Sequence, residues 1–233
     1  MLTVESLQTR YGESHVLFGV DIDVRAGELV ALLGRNGMGK TTTVRSIMGL
    51  IPTHGGSITF NGRQLRGLAS FQIAKLGLGL VPEGRGIFPS LSVWENLTAT
   101  AAAGLHGKPR WTADEIIRIF PWIKERRHQM GGHLSGGEQH MLAISRALMT
   151  NPDLLILDEA TEGLAPVIRQ EIWKLIKLLK RSGQAILIID KNLEILARLA
   201  DRYFVLERGR VRWHGDSRKL RADYNTVRRY VGL

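Results

Sequence analysis

The stretch Gly34-Arg35-Asn36-Gly37-Met38-Gly39-Lys40-Thr41-Thr42 combines three chemical resources. Closely spaced glycines let a loop turn its amides inward, Lys40 adds a point charge, and the Thr41 hydroxyl can ligate magnesium. The spacing G-x-x-x-x-G-K-T is entered from an apolar run over 28–33 and left into a helical pattern over 40–49. Such a loop cradles the β and γ phosphates of a nucleotide. A pair of acids, Asp158 and Glu159, follows the apolar run Leu154 to Leu157. At a strand's carboxyl end beside the cradle, Asp158 would hold magnesium through water and Glu159 would accept a proton from an attacking water. Alone, the pair would read as acids capping a helix.

Two further stretches point to anions. In LSGGEQHMLAISRAL, residues 134–148, Ser135 and Glu138 have the spacing of a capping box, and Met141, Leu142, Ile144 and Leu148 share a helical face. Gly136 and Gly137 do not fit that purpose, since each costs about 1 kcal/mol relative to alanine inside a helix. They would let a phosphate approach free amides at a helix N-terminus, which makes the stretch a second phosphate-binding element. In AILIIDKNLEI, residues 185–195, Lys191 stands between a buried strand and the start of a helix. A cation is disfavoured there by the helix dipole, so Lys191 is either aimed at an anion or simply solvated.

The elements that must position these groups follow from periodicity. Strand-like runs recur at 2–7, 15–24, 28–33, 57–60, 78–81, 153–157, 185–189, 202–206 and 209–213. Helical patterns occupy 40–49, 70–76, 92–102, 112–119, 137–149, 167–181 and 193–200. Alternation of the two predicts an α/β fold with a mainly parallel sheet, and the β-rich first 60 residues predict an antiparallel β layer beside it. No strand pattern is evident between Gly84 and about His140, which predicts an inserted α-helical subdomain over 84–140 on a core of 1–83 and 141–233.

Composition bounds the rest. A chain of 233 residues can bury one sizeable core, and its zero cysteines exclude disulfides and thiolate metal sites. The first residues lack the basic-then-apolar pattern of a signal peptide, and no apolar run is long enough to span a membrane, which predicts a soluble chain that is not secreted. The net charge of +10 calls for an anionic neighbour. The basic residues are scattered, without an aromatic-rich RNA-recognition motif, so nucleic acid is not expected as a partner.

With one phosphate loop and one further phosphate-binding helix end, the chain resembles the ATP-binding cassette family along essentially its whole length. Together with VPEGRGIFPSLSVWENL and the GLAP that follows the acid pair, the signature stretch is similar to the LivF-type ATPase of branched-chain amino-acid importers. The resemblance implies a P-loop NTPase (RecA-like) core, ATP and Mg2+ as ligands, and ATP hydrolysis coupled to transport. It implies that two cassettes pack head to tail, so that Ser135, Gly136, Gly137 and Glu138 meet ATP held by the partner's loop. A related, different cassette is the expected partner, with a homodimer as the alternative. Further partners would be two integral membrane permease subunits and, indirectly, a periplasmic binding protein, with the chain peripheral on the cytoplasmic face of the inner membrane.

Carried over residue by residue, Arg35, Asn36, Gly37, Met38 and Thr42 join the loop's ligands, Tyr11 falls where an aromatic stacks on adenine, and Glu83 stands where most members have a glutamine linking nucleotide to the helical lobe. Glu83 could receive a magnesium-bound water. Ile87, Phe88, Leu91 and Trp94 either line the groove that receives a short helix of a membrane subunit or belong to the lobe's core. Lys191 replaces the histidine with which most cassettes contact the γ-phosphate. Ala160 stands in place of a usual proline, and Ala165 in place of a frequent aspartate. Rival readings are a nucleotide-binding regulatory subunit, an exporter, and a nucleic-acid-acting cassette; the last is disfavoured by the lack of heptads between Lys40 and Leu134.

Overall fold

A computed structural model describes the chain except for Arg85, His106, Lys108 and Leu233. In order, the elements are β1 (Leu2–Tyr11), β2 (Ser14–Val24), β3 (Leu29–Leu33), α1 (Lys40–Ile47), β4 (Gly55–Phe60), β5 (Arg63–Gln64), α2 (Ser70–Lys75), β6 (Leu78–Val81), α3 (Val93–Thr98), α4 (Ala113–Ile119) and α5 (Trp122–Glu125). There follow α6 (Gly136–Met149), β7 (Leu154–Asp158), α7 (Pro166–Arg181), β8 (Ala185–Ile189), α8 (Leu193–Leu199), β9 (Arg202–Glu207), β10 (Arg210–Asp216), α9 (Ser217–Ala222) and α10 (Tyr224–Val231).

Two sheets organise these elements. A six-stranded sheet runs β10-β9-β3-β8-β7-β6, parallel throughout except for the β9–β10 hairpin. An antiparallel sheet, β2-β1-β4-β5, forms the second layer. The continuous apolar runs of β3, β7 and β8 are explained by burial on both faces. Leu29, Ala31, Leu33, Leu155, Leu157, Ile186 and Ile188 face a core shared with α6, α7, α8 and α10. Val30, Leu32, Leu154, Ile156, Leu187 and Ile189 face the core under α1 and the antiparallel layer.

The predicted fold class is the observed one, and the differences lie at the ends of elements. Strand β1 continues to Tyr11, and a short β5 closes the antiparallel sheet beside β4. Helix α3 stops at Thr98 rather than at 102, because the Ala102 amide donates to the Met149 carbonyl at 2.9 Å and draws the chain out along α6. Helices α5, α9 and α10 have no counterpart among the expected helices. Helix α10 buries only Val227 and Val231, with Arg228 and Arg229 between them, so its apolar face is too narrow to show in the basic tail. Between β6 and α6 the described residues form α3, α4, α5 and a 3₁₀ turn over Gly131–His133, with one isolated β-bridge from Ser92 to Met130.

The carboxyl ends of β3, β7 and β8 open on one edge, and each carries a loop that bears a polar group: the glycine loop, Asp158-Glu159, and Asp190-Lys191. In an open α/β sheet this is the edge where ligands bind. No helix among the described residues is long and apolar enough to cross a membrane.

Candidate nucleotide site

A cavity of about 680 Å³ opens at that edge, lined by Val16, Asn36, Gly37, Gly39, Lys40, Thr41, Thr42, Glu83, Gly84, His140, Glu159 and Glu162. Its floor is the glycine loop. Two of the glycines are dictated by close approach: a Cβ on Gly34, whose φ is +142°, would lie 2.4 Å from the Leu206 carbonyl oxygen, and one on Gly39, at φ +104°, 2.7 Å from Leu17 Cδ2. The β9–β10 turn braces the loop from outside, the Gly209 amide donating to the Met38 carbonyl at 3.1 Å. Arg35 points away from the cavity and donates to the Arg229 carbonyl of α10 at 3.2 Å.

Lys40, at the first position of α1, is only 5% exposed, and its ammonium donates to the Arg35 carbonyl at 3.0 Å. Burial lowers its pKa, opposed by the negative charges of Glu159, Asp158 and Glu162 and reinforced by Lys191. A desolvated cation held over a loop of inward amides is a site prepared for a strong anion. The Thr41 hydroxyl donates to Asp158 Oδ1 at 3.3 Å, which joins the loop to the end of β7. Asp158 is 2% exposed; burial raises its pKa, the Thr41 hydrogen bond lowers it, and nearby Glu83 raises it. No cluster of three His, Cys, Asp or Glu side chains converges among the described residues, so an all-protein metal cage is absent there. A hydroxyl and a buried carboxylate on one edge instead fit magnesium, which keeps waters and takes few protein ligands beside substrate phosphates.

Glu159 has a left-handed backbone, φ +55°, and its amide donates to the Ile189 carbonyl at 2.9 Å, which holds the turn against β8. Its carboxyl is pushed up to about 7 by burial first, then by a hydrogen bond to Glu162 and the negative charges of Glu162 and Glu83. Glu162 moves the other way, held low by its contact with Lys191 and by the hydrogen bond with Glu159. Lys191 itself does not line the cavity. Its ammonium is paired with Glu162 Oε1, so in this structure it is neither merely solvated nor aimed at the phosphate loop.

The remaining expected residues are spread over other surfaces. Tyr11 is 43% exposed at the end of β1, outside the cavity lining, so it is not a core residue; Val16 of β2 contributes to the lining instead. Ser135 caps α6 through a complete capping box with Glu138, and Glu138 pairs with Arg126 at 2.9 Å. Gly137 has a reason in this chain alone, because a Cβ there would lie 2.6 Å from Ile168 Cγ1 on α7. None of Ser135, Gly136, Gly137 and Glu138 lines the chain's own cavity. Phe88 lines a groove of about 640 Å³ with Phe71, Leu105 and Arg146, whereas Ile87 and Trp94 pack on the core. Leu91 is half-buried, its carbonyl accepting from the Gly131 amide at 2.8 Å. Glu162, Asp190 and His140 were not among the expected site residues. Glu162 lies three residues beyond Glu159, and Asp190 stands beside Lys191 at the carboxyl end of the apolar run 185–189, so both had a local signal, whereas His140 had none.

Two outcomes follow from this geometry. In the nucleotide-free chain the raised Glu159 carboxyl keeps its proton to higher pH than in the unfolded chain, so its contribution to stability is lost as pH rises through about 7. Glu159→Gln should therefore melt above the wild type at pH 8, by about 2–4 °C for a screened effect of about 1 kcal/mol, with the two converging towards pH 5; thermal unfolding in the absence of nucleotide reads this. Gly137→Ala should cost about 1–3 kcal/mol through overlap with Ile168, and adding Ile168→Ala should recover part of it in denaturant titrations.

Residues 17–162 match the ABC transporter family. The chain is 39% identical over 232 residues, all of both chains, to the high-affinity branched-chain amino acid transport ATP-binding protein BraG of Pseudomonas aeruginosa. It is 34% identical to the lipopolysaccharide export system ATP-binding protein LptB of Escherichia coli K12, covering 99% of this chain and 97% of that one. Among solved structures, the ATP-binding subunit of an ABC transporter superposes with a TM-score of 0.80 at 28% identity, covering 97% and 93% of the two chains. The phosphate loop with its acid pair, the mixed sheet and these full-length matches agree: the chain belongs to the ATP-binding cassette family of transporter ATPases.

Proposed function

We propose that this chain is the ATP-hydrolysing subunit of a membrane importer for branched-chain or other hydrophobic amino acids. The observation that carries the direction and substrate class is the full-length likeness to BraG at 39%, above the 34% to LptB. The LptB likeness keeps an exporter as the second reading. The partners in this proposal are a second cassette, two membrane permease subunits and, indirectly, a periplasmic binding protein, with the chain peripheral on the inner membrane's cytoplasmic face.

Within the cavity, Lys40 and the loop amides of Gly37 to Thr41 bind the β and γ phosphates, the already desolvated ammonium needing little further reorganisation. Thr41 and Asp158 would hold magnesium, with Glu83 reaching a bound water; the ion would neutralise charge on the transferring phosphoryl group. Glu159 orients the attacking water and accepts its proton, and a pKa near 7 lets the carboxylate serve as a base at neutral pH. Tyr11, exposed at the end of β1, supplies a ring for adenine to stack on. In the head-to-tail dimer, Ser135, Gly136, Gly137 and Glu138 present the α6 N-terminus to the nucleotide on the partner. The groove containing Phe88 and Arg146 takes a short helix of a membrane subunit.

Lys40→Ala should weaken ATP binding on the order of 10- to 100-fold in calorimetric titration. Unchanged affinity would move the nucleotide elsewhere. Glu159→Gln should bind ATP and fail to hydrolyse it, trapping a closed dimer with the cognate cassette that sedimentation detects. Transport is decided in proteoliposomes containing the permease subunits and binding protein. ATP-dependent accumulation of leucine, isoleucine or valine supports the importer, and ATP-dependent release of a lipid without any uptake replaces it with the exporter.

A further inference from the structure

The Arg35 side chain and helix α10 have no part in the phosphate chemistry above, and they meet on the outer side of the phosphate loop. The Arg35 guanidinium donates to the Arg229 carbonyl in the last turn of α10 at 3.2 Å. The Gly232 amide takes the neighbouring Arg228 carbonyl, so two of the four carbonyls that a helix end leaves over find partners here. The negative end of the helix dipole makes this a favourable place for a cation. Gly232, the C-cap, has a left-handed backbone at φ +84°, and a Cβ on it would stand 2.9 Å from Arg35 Nε and 3.2 Å from Arg35 Cγ. The Arg35 stem therefore lies directly on bare backbone. The main chain of the same residue faces the other way, its carbonyl accepting from the Lys40 ammonium at 3.0 Å. Arg35 thus joins the buried cation of the loop to the end of α10.

We propose that Arg35 is a positioning residue through which docked α10 holds the phosphate loop ready for nucleotide, so that the docking of α10 and the binding of nucleotide are linked equilibria. The proposal rests on the reading of the cavity as an ATP site. Binding costs the ordering of the loop amides, and a loop anchored beforehand loses less. With α10 docked, Arg35 is fixed at its guanidinium by Arg229 and at its carbonyl by Lys40. With α10 undocked, the guanidinium turns to water and the carbonyl that holds Lys40 sits on a freer backbone. Helix α10 is built to make this exchange: of its eight residues only Val227 and Val231 are buried, with Tyr224 and Tyr230 packed partly against the core. An element with so little buried apolar surface opens at low cost. Because the linkage is thermodynamic, nucleotide stabilises docked α10 by the factor with which docked α10 tightens nucleotide. Arg35 acts through loop backbone that meets ADP and ATP alike, so the effect falls on both nucleotides equally.

Calorimetry on the purified chain, with magnesium and either ADP or the non-hydrolysable β,γ-imido analogue of ATP, reads one half of the linkage. Arg35→Leu should weaken both nucleotides by about 3- to 10-fold, part of what a charge-assisted hydrogen bond is worth. Arg35→Lys, which keeps a donor and the charge, should recover some of that loss. Val231→Ala loosens α10 with every charge left in place, and it should weaken both nucleotides similarly. The double variant Arg35→Leu, Val231→Ala should bind no more weakly than the worse single variant, since an undocked helix has no contact left to lose. Hydrogen–deuterium exchange reads the other half, which mere structural damage would not move. Amides at 228–232 should exchange more slowly with ADP bound in the wild type, faster without nucleotide in Val231→Ala, and without any response to ADP in Arg35→Leu. Additive losses in the double variant, a loss in Arg35→Leu with none in Val231→Ala, or exchange at 228–232 indifferent to nucleotide overturns the proposal. Loss of binding in Lys40→Ala alongside such a result leaves the ATP site standing and removes only the linkage, whereas undiminished binding in Lys40→Ala removes the site itself.

Discussion

Holding the Lys40 ammonium out of water, next to the almost fully buried Asp158 carboxylate, is the constraint to which the rest of the site conforms. A desolvated charge is tolerated only where other groups offset it. The Arg35 carbonyl accepts from the ammonium on one side, and Asp158, Glu159 and Glu162 supply opposite charge on the other. Those acids come from β7 and the turn beyond it, so β3 and β7 must end on the same edge, with β8 between them in the sheet order. The loop can then wrap the ammonium only because Gly34 lets it pass against the Leu206 carbonyl and Gly39 lets α1 begin beneath Leu17.

How much of this was legible before folding depended on whether the signal lay in one stretch. The phosphate loop, the acid pair and the uninterrupted apolar runs of β3, β7 and β8 each combine residue type with a local period, and the sheet they imply is the one observed. The Ser135–Glu138 capping box is likewise local, and it forms. Contacts between distant segments left no such trace. The Arg208-Gly209 turn braces a loop some 170 positions earlier, and nothing in its own neighbourhood reports that task. Asp190 and Thr161 are 29 positions apart, and their bond is set by the pairing of β7 with β8. Lys191 was singled out as a cation disfavoured near a helix start, but its partner is an acid of the neighbouring turn, and no period in the sequence relates the two.

Gly137 shows how one residue type can satisfy two demands. Within this chain its missing side chain makes room for Ile168 of α7, so alanine at that position would force the Ile168 side chain to shift. On the head-to-tail reading the same bare backbone faces a phosphate of the partner's nucleotide. The capping box adds to the point, for Ser135 and Glu138 satisfy amides at the start of α6, while Arg126 anchors Glu138 from the end of α5. The start of α6 is therefore organised by side chains of this chain itself, and a preorganised anion site loses less entropy on binding.

The packing of α7 against α6 also joins the chain's two nucleotide-facing ends. Helix α7 begins at Pro166, a few residues beyond the turn that carries Glu159 and Glu162, and its Ile168, two residues on, sits on Gly137 of α6. The turn itself is held to β8 by the Glu159 amide, the Asp190 carboxylate and the Lys191 ion pair. Of these three ties the first two are buried or backbone, while the ion pair is half exposed. Ile168 occupies the space that a Cβ on Gly137 would take, so α6 and α7 meet closely at this point. In the proposed dimer α6 presents its N-terminus to the other nucleotide.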